Sequence, residues 1–377
     1  MTESLTLQHI LQRFLPNTGT GIDVHRLKVC QQLQACRTEA LGGVRVYCHT
    51  CRHEATLYHS CRNRHCPQCQ GKATQEWAER QKANTLPVNY FHLVFTLPHT
   101  LNGWVQLHPE TIYRLLFQAV WHTLRRFGED PKRLGGKLGV SMVLHTWGQN
   151  LSRHVHLHCL VAGGALTDSG EWRSCKGNYL FPVKALSRHF RGCMVALLRE
   201  ASDNGELSRI TRQDEVDQQL STLMTKEWVV YAKATLSHTD TVVDYLSRYT
   251  HRIAISNHRI TEVNQETVSI RYKDYNDNET QKNLTLKGEE FVRRYLMHIL
   301  EKGFMRVRHY GFLANCCRRK RLTQIRTLLQ SQAEEKEVES QPSLLDGYPC
   351  PKCKTGHMII IEEMMPKNHH GMAVKRR

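Results

Sequence analysis

Three histidines alternate with apolar residues in Arg153-His-Val-His-Leu-His-Cys-Leu-Val-Ala-Gly-Gly164. Successive side chains of a strand point to opposite faces. A strand here therefore puts His154, His156 and His158 on one face and Val155, Leu157, Cys159 and Val161 on the other. A lone histidine is ordinarily a hydrogen-bonded sheet residue, whereas three in register running into Gly163-Gly164 suit a divalent ion. Two histidines at i, i+2 on a strand can hold an ion from one side. Open positions then remain for phosphate oxygens, as metal-assisted phosphate chemistry requires. A third ligand has two candidate sources. If the strand over 138–147 pairs symmetrically with that over 153–162, His145 lies opposite His156, and a one-residue slip removes it. Gln149, in the turn between them, is the other.

Tyr245 and Tyr249 stand at i, i+4 in Asp-Tyr-Leu-Ser-Arg-Tyr-Thr-His-Arg, residues 244–252. On a helix their phenols share one face. Such a stripe usually belongs to a core, but Asp244, Arg248, His251 and Arg252 make this setting polar. A phenol near a metal and basic groups loses its proton more readily and can attack phosphorus, forming phosphotyrosine. The pair takes its meaning from the histidine strand.

Cysteine supplies the third constellation. Cys48-x2-Cys51 and Cys66-x2-Cys69 are separated by fourteen residues. Two such knuckles are expected to close one tetrahedral Zn²⁺ site of structural type, with Cys61 or His65 as a substitute or spare ligand. Arg45, Arg52, Arg62 and Arg64 surround it. Cys30 and Cys36 could form part of a second site, although nothing in their spacing demands it. Cys350-x2-Cys353, with His357 nearby, is a single knuckle for which Cys316 and Cys317 are the candidate partners.

These residues need elements to position them. A cysteine-rich module is expected over 1–84, with Glu76–Ala83 as a helix leading out of it. Residues 88–98 read as a buried strand stopped by Pro98, and 110–127 as a helix. The two histidine-region strands follow, then helices near 187–201 and 213–226 and a strand over 229–236. The tyrosine helix spans 239–250 and leads into a strand over 252–257. A hairpin over 260–272 and a helix over 288–302 complete a catalytic domain over 85–315. Residues 316–377 comprise a basic segment, a polar acidic linker over 330–343 and the C-terminal knuckle. The fold class is α+β, with a largely antiparallel sheet.

The 377 residues suffice for two or three domains, and a net charge of +17 points to a nucleic-acid partner. No apolar run approaches the ~18 residues of a membrane span. The N-terminal stretch lacks the basic and apolar regions of a signal peptide. The expectation is a cytoplasmic, nucleoid-associated metalloprotein whose fourteen cysteines serve metal sites. Gly135-Gly136-Lys137 lacks the spacing and hydroxyl of a phosphate-binding G-x4-G-K-[ST] loop, so unwinding is expected from host replication or helicase functions.

The order of a buried strand, His-hydrophobic-His and then a tyrosine helix resembles the HUH endonucleases of replication initiators and transposases. Conjugative relaxases place the tyrosine first. The closer resemblance, over most of the chain, is to the two-tyrosine transposases of rolling-circle insertion sequences, the IS91 type. It rests on SCRNRHCPQCQG (60–71), HTWGQNL (145–151), HVHLHCLVAGG (154–164), YLSRYTHRIAISNHRI (245–260) and VRHYGFLAN (307–315). The resemblance implies an HUH-like antiparallel sheet behind a zinc-binding module. It implies Mg²⁺ or Mn²⁺ at His156 and His158, and Tyr245 and Tyr249 as nucleophiles on single-stranded DNA at element ends and target. His154 takes the place of an additional family histidine. Arg248, Arg252, Arg259 and the run Arg318–Arg321 are candidate phosphate contacts. The competing readings are a replication-initiator-like nickase, a zinc-dependent DNA-binding regulator without catalysis, and a zinc hydrolase using the histidines.

Overall fold

The computed structural model describes residues 5–18, 21–82, 84–210, 212–235, 253–274, 277, 279–330 and 348–367. Tyr245, Tyr249, Arg248, Arg252 and the expected linker beyond Gln330 lie outside them. The chain divides into two compact units. One comprises Thr74–Ala254 and Leu300–Ala333. The other comprises Met1–Ala73, Ile255–Ile299 and Glu334–Arg377.

The first of these is built on a five-stranded antiparallel sheet. Its order is Val307–Gly311, Gly139–Trp147, Arg153–Ala162, Tyr90–Thr96, Val230–Thr235. Tyr90–Thr96 is aromatic and β-branched in composition, suiting a pleated surface buried on both sides. One face carries Phe91, Leu93, Phe95, Met142, Leu144, Val155, Leu157, Cys159 and Val161 into the main core. The helices Pro109–Glu129 and Val183–Asp203 close that core with Leu116, Phe117, Val120, Phe190 and Met194. Each large apolar side chain buried there contributes roughly 1.5–3 kcal/mol.

The opposite face is divided along its length. At the Ala162 end, Leu322 and Ile325 of the helix Arg318–Leu328 join Phe312 and Leu313 over Tyr90, Leu160 and Ala162. At the other end of the same face stand the imidazoles. The strand register puts His92, His145, His154, His156, His158 and His309 all on it.

In the second unit, Leu7–Phe14 starts at Thr6, whose hydroxyl accepts from the His9 N–H, a standard helix N-cap. Val24–Gln34 starts likewise at Asp23. The Leu7 N–H donates to Asn257 Oδ1 at 3.1 Å, and the Tyr295 hydroxyl donates to the His65 carbonyl at 3.0 Å. The helix Gly288–Leu296 comes so close to Leu7–Phe14 that a Cβ at Gly288 would lie 2.1 Å from the Phe14 ring, which only glycine avoids. A three-stranded antiparallel sheet of Ile260–Val263, Thr267–Asp274 and Thr280–Lys287 completes this part.

These packings correct the expected boundaries of 1–84, 85–315 and 316–377. Residues 255–299 pack with the N-terminal module, and 348–364 add two strands to its sheet. Such pairings join segments 230 or more positions apart, which local periodicity does not encode. Two elements also differ. Residues 253–256 of the expected 252–257 strand are irregular, followed by a 3-10 turn at Asn257–Arg259. Alternating Ile253 and Ile255 read as a strand, but Ile255 buries its side chain from a loop. The expected 288–302 helix ends at Leu296, where the His298 and Ile299 N–H groups tighten onto i−3 carbonyls.

Candidate active site and metal centres

Pairing of Gly139–Trp147 with Arg153–Ala162 sets His145 opposite His156, and the ladder is shifted only beyond that pair, before Trp147 and Arg153. His145, His156 and His158 present ring nitrogens that all lie within 4.8 Å of one another. Gln149 lies in the turn that joins the two strands. His145 and His158 are buried, at 2% and 8% exposure, while His156 is half-buried. Trp147 stacks on the His145 ring at 4.6 Å and fixes its plane.

The hydrogen bonds orient both imidazoles of the central pair. His156 Nδ1 lies 2.9 Å from the His154 carbonyl, so that nitrogen carries the proton and Nε2 keeps its lone pair. His156 Nε2 then faces His158 Nε2 at 3.1 Å. Two ring nitrogens so close either share a hydrogen bond, with His158 Nε2–H donating to His156, or flank a divalent ion. In the second case the remaining His158 proton sits on Nδ1, 2.9 Å from His92 Nε2. Burial, and then the charge of Lys233, push the His92 pKa down to about 4, so its ring is neutral and able to accept. A ligating histidine whose other nitrogen donates to a fixed acceptor is the usual outer-shell arrangement of metal sites. The donor set thus fits a divalent ion with positions left open. His154 stays outside the cluster, its ring 5.3 Å from His99.

Sequence reasoning passed over His92. Its signal was present, as the lone imidazole in an apolar strand, but its partner lies 66 residues away. His309, whose Nδ1 lies 2.8 Å from Ser141 Oγ, was missed in the same way.

The cysteines are grouped differently from the expectation. Cys48, Cys51, Cys66 and Cys69 do not share one site. Cys66 and Cys69 join Cys36 and Cys61, with Sγ–Sγ distances of 3.5 Å (Cys36–Cys66), 3.6 Å (Cys36–Cys69) and 3.7 Å (Cys61–Cys69). A tetrahedron with zinc–sulfur bonds of about 2.3 Å has edges of roughly 3.8 Å, so the four sulfurs fit Zn²⁺. Contacts among them push the Cys69 thiol down and the Cys61 thiol up. That opposition is expected of crowded sulfurs competing for negative charge, and a dication relieves it. Pro67 opens the helix Pro67–Lys82 beside these ligands, directing a helix N-terminus toward thiolate charge. Cys36, which has no CxxC partner, stands in this site and not in a second one with Cys30. Cys48 and Cys51 instead meet Cys350 and Cys353, so Cys316 and Cys317 are not the partners of the C-terminal knuckle.

Of the basic candidates, Arg259 donates through Nε to the Arg271 carbonyl at 2.9 Å. Arg318–Arg321 form the first turn of the helix Arg318–Leu328. Among the described residues no helix is long and apolar enough to cross a membrane.

Known proteins resemble this chain over most of its length. The family model described as "Putative transposase" matches residues 139–321, and that described as "Transposase zinc-binding domain" matches residues 6–97. The "Putative transposase y4qJ" of Sinorhizobium fredii is 40% identical over 360 residues, covering 91% of this chain and 90% of its own length. The "Transposase for insertion sequence element IS801" of Pseudomonas savastanoi pv. phaseolicola is 30% identical over 313 residues, covering 78% of this chain and 72% of its own length.

Proposed function

The chain belongs to the IS91 family of transposases and carries an N-terminal zinc-binding domain, and we propose that it moves DNA by nicking and joining single strands through a covalent 5′-phosphotyrosine. The observation that carries this reading is the pair of ring nitrogens facing each other at 3.1 Å, with His145 beside them. Mg²⁺ or Mn²⁺ held by His145, His156 and His158 would supply Lewis-acid polarisation of the scissile phosphate. The chain's residues do the rest. A phenolate of Tyr245 or Tyr249 attacks phosphorus in line. The bond from phosphorus to the 3′-oxygen breaks, that oxygen leaves as a 3′-OH, and the 5′-phosphate stays on the phenol. One phosphodiester is exchanged for another, so the reverse step joins strands without ATP.

Two nucleophiles let one chain hold one end while cutting another. Arg248, Arg252, Arg259 and Arg318–Arg321 offer the phosphate contacts of a single-strand binder. Element ends and target are the DNA partners, and strand separation comes from host replication or helicase functions. We place the activity in the cytoplasm, at the nucleoid.

The test is incubation of the full chain with end-labelled single-stranded element DNA and Mn²⁺. The expected result is a protein–DNA adduct stable to denaturant, attached through the 5′ end, with a free 3′-OH on the other fragment. Free 5′-phosphate ends without adduct would instead identify a hydrolase.

His92 gives a second expected outcome. His92→Phe removes the ring nitrogen that faces His158 Nδ1 and should raise the Mn²⁺ concentration for half-maximal cleavage about 10–100-fold. His92→Gln, which keeps an acceptor oxygen, should recover most of that loss. Equal effects of both variants, or an unfolding midpoint lowered by His92→Phe in proportion, would mean that His92 only packs.

A further inference from the structure

We propose that Cys48, Cys51, Cys350 and Cys353 hold a second structural zinc ion, which clasps residues 348–364 onto the N-terminal module. Cys51 and Cys350 stand 299 positions apart, and the second half of the site lies outside the matched zinc-binding domain. Their strands are nevertheless neighbours. Gly43–Cys48 pairs antiparallel with His357–Met364, with Cys48 opposite Met358. The sheet has the order Tyr348–Pro349, His357–Met364, Gly43–Cys48, Glu54–Tyr58.

The two knuckles share one backbone form. After Cys48-x2-Cys51, Arg52 is left-handed at φ 59° and its N–H donates to the Cys48 carbonyl at 2.8 Å. After Cys350-x2-Cys353, Lys354 is left-handed at φ 60° and its N–H donates to the Cys350 carbonyl at 2.9 Å. The Cys48 N–H reaches the His53 carbonyl at 2.9 Å and the Cys350 N–H reaches the Gly356 carbonyl at 2.7 Å. Two segments of unrelated position thus present paired sulfurs from the same turn, as the knuckles of a Cys₄ zinc ribbon do.

The sulfurs meet across the gap. Cys51–Cys350 is 3.6 Å and Cys48–Cys353 is 3.8 Å. These match the roughly 3.8 Å edge of a zinc tetrahedron and far exceed a disulfide bond of about 2.05 Å. The Gly356 N–H donates to Cys353 Sγ at 3.3 Å. A Cβ on Gly356 would lie 2.6 Å from Cys48 Sγ and 2.4 Å from Thr50 Oγ1, so the approach of the two knuckles requires glycine there.

Packing supplies the independent argument. The buried core of this sheet is Val46, Met358, Cys48 and Cys350, with Val44, Ala55, Cys51 and Cys353 partly buried around it. So small an apolar core does not hold a sheet, and a bound metal is the common remedy. Four thiolates select zinc over hard cations.

The test counts zinc in the full-length chain carrying His158→Ala, so that the metal found belongs to cysteine. Two ions per chain are expected, with a sulfur-only shell at about 2.3 Å in the zinc-edge absorption spectrum. Cys350→Ser with Cys353→Ser should leave one ion, and so should Cys61→Ser with Cys66→Ser. Limited proteolysis should release residues 348–364 from the first double variant at least about tenfold faster. One zinc in the otherwise unaltered chain, a nitrogen-containing shell, or two ions retained without Cys350 and Cys353 would each overturn the proposal. The count and spectrum of the unaltered cysteine set decide it even where a serine variant fails to fold.

Discussion

His158→Ala is expected to lower single-turnover cleavage of single-stranded DNA by about 10³-fold or more, because metal polarisation is worth several kcal/mol and each 1.36 kcal/mol is tenfold. His158 is the hub of the cluster. Its Nδ1 meets His92 and its Nε2 meets His156, so truncation removes one ligand and a contact from each of two neighbours. His156→Ala should act similarly through its half of the pair. Affinity for the uncut strand should change by less than about threefold, since binding comes chiefly from Lys and Arg contacts to phosphate. Cleavage assays beside fluorescence-anisotropy binding separate the two quantities. Equal losses of binding and cleavage would make the histidines a structural element of the sheet.

The second large effect concerns the tyrosines. Tyr245→Phe together with Tyr249→Phe is expected to remove every covalent adduct, whereas each single variant should retain adduct in vitro and block transposition in cells. If residues 239–250 form the expected helix, i, i+4 spacing sets the two Cβ atoms about 6 Å apart and lets either phenol serve one phosphate position. Tyr249 stands beside His251 and Arg252, and Tyr245 beside Asp244. Positive neighbours favour phenolate and negative ones oppose it. The initial cut should accordingly fall more steeply with Tyr249→Phe. Peptide mapping of the adduct and a mating-out transposition assay read the outcome. Normal transposition by Tyr245→Phe would reduce that residue to packing and remove the two-nucleophile scheme.

The histidine strand was legible because its information is local. Alternation with period two is written in residues 153–162, and symmetric pairing across the short turn to 139–147 made His145 a candidate beside Gln149. The antiparallel α+β class was legible for the same reason, from strands and helices each marked by its own periodicity. The cysteine pairing was not. A CxxC knuckle announces two ligands but not their complement, and the complements here come from Cys36 and from a segment some three hundred residues downstream. His92 was passed over because an imidazole in an apolar run looks like an exception until its neighbour across the sheet is known. The 255–299 segment was assigned to the wrong unit because nothing in its composition records that Asn257, Gly288 and Tyr295 meet Leu7, Phe14 and His65.

The strand pairing between Gly43–Cys48 and His357–Met364 also fixes an order of events on the ribosome. When residues 43–58 emerge they have only each other, and an isolated two-stranded hairpin is marginal in water. Synthesis proceeds at roughly 5–20 residues per second, so the 299 positions between Cys51 and Cys350 take roughly 15–60 s to appear. During that interval the central sheet's five strands, all within 90–311, can assemble while the first-made module waits for its third strand. A nascent or prematurely terminated chain can therefore have its central sheet before it has a finished N-terminal module.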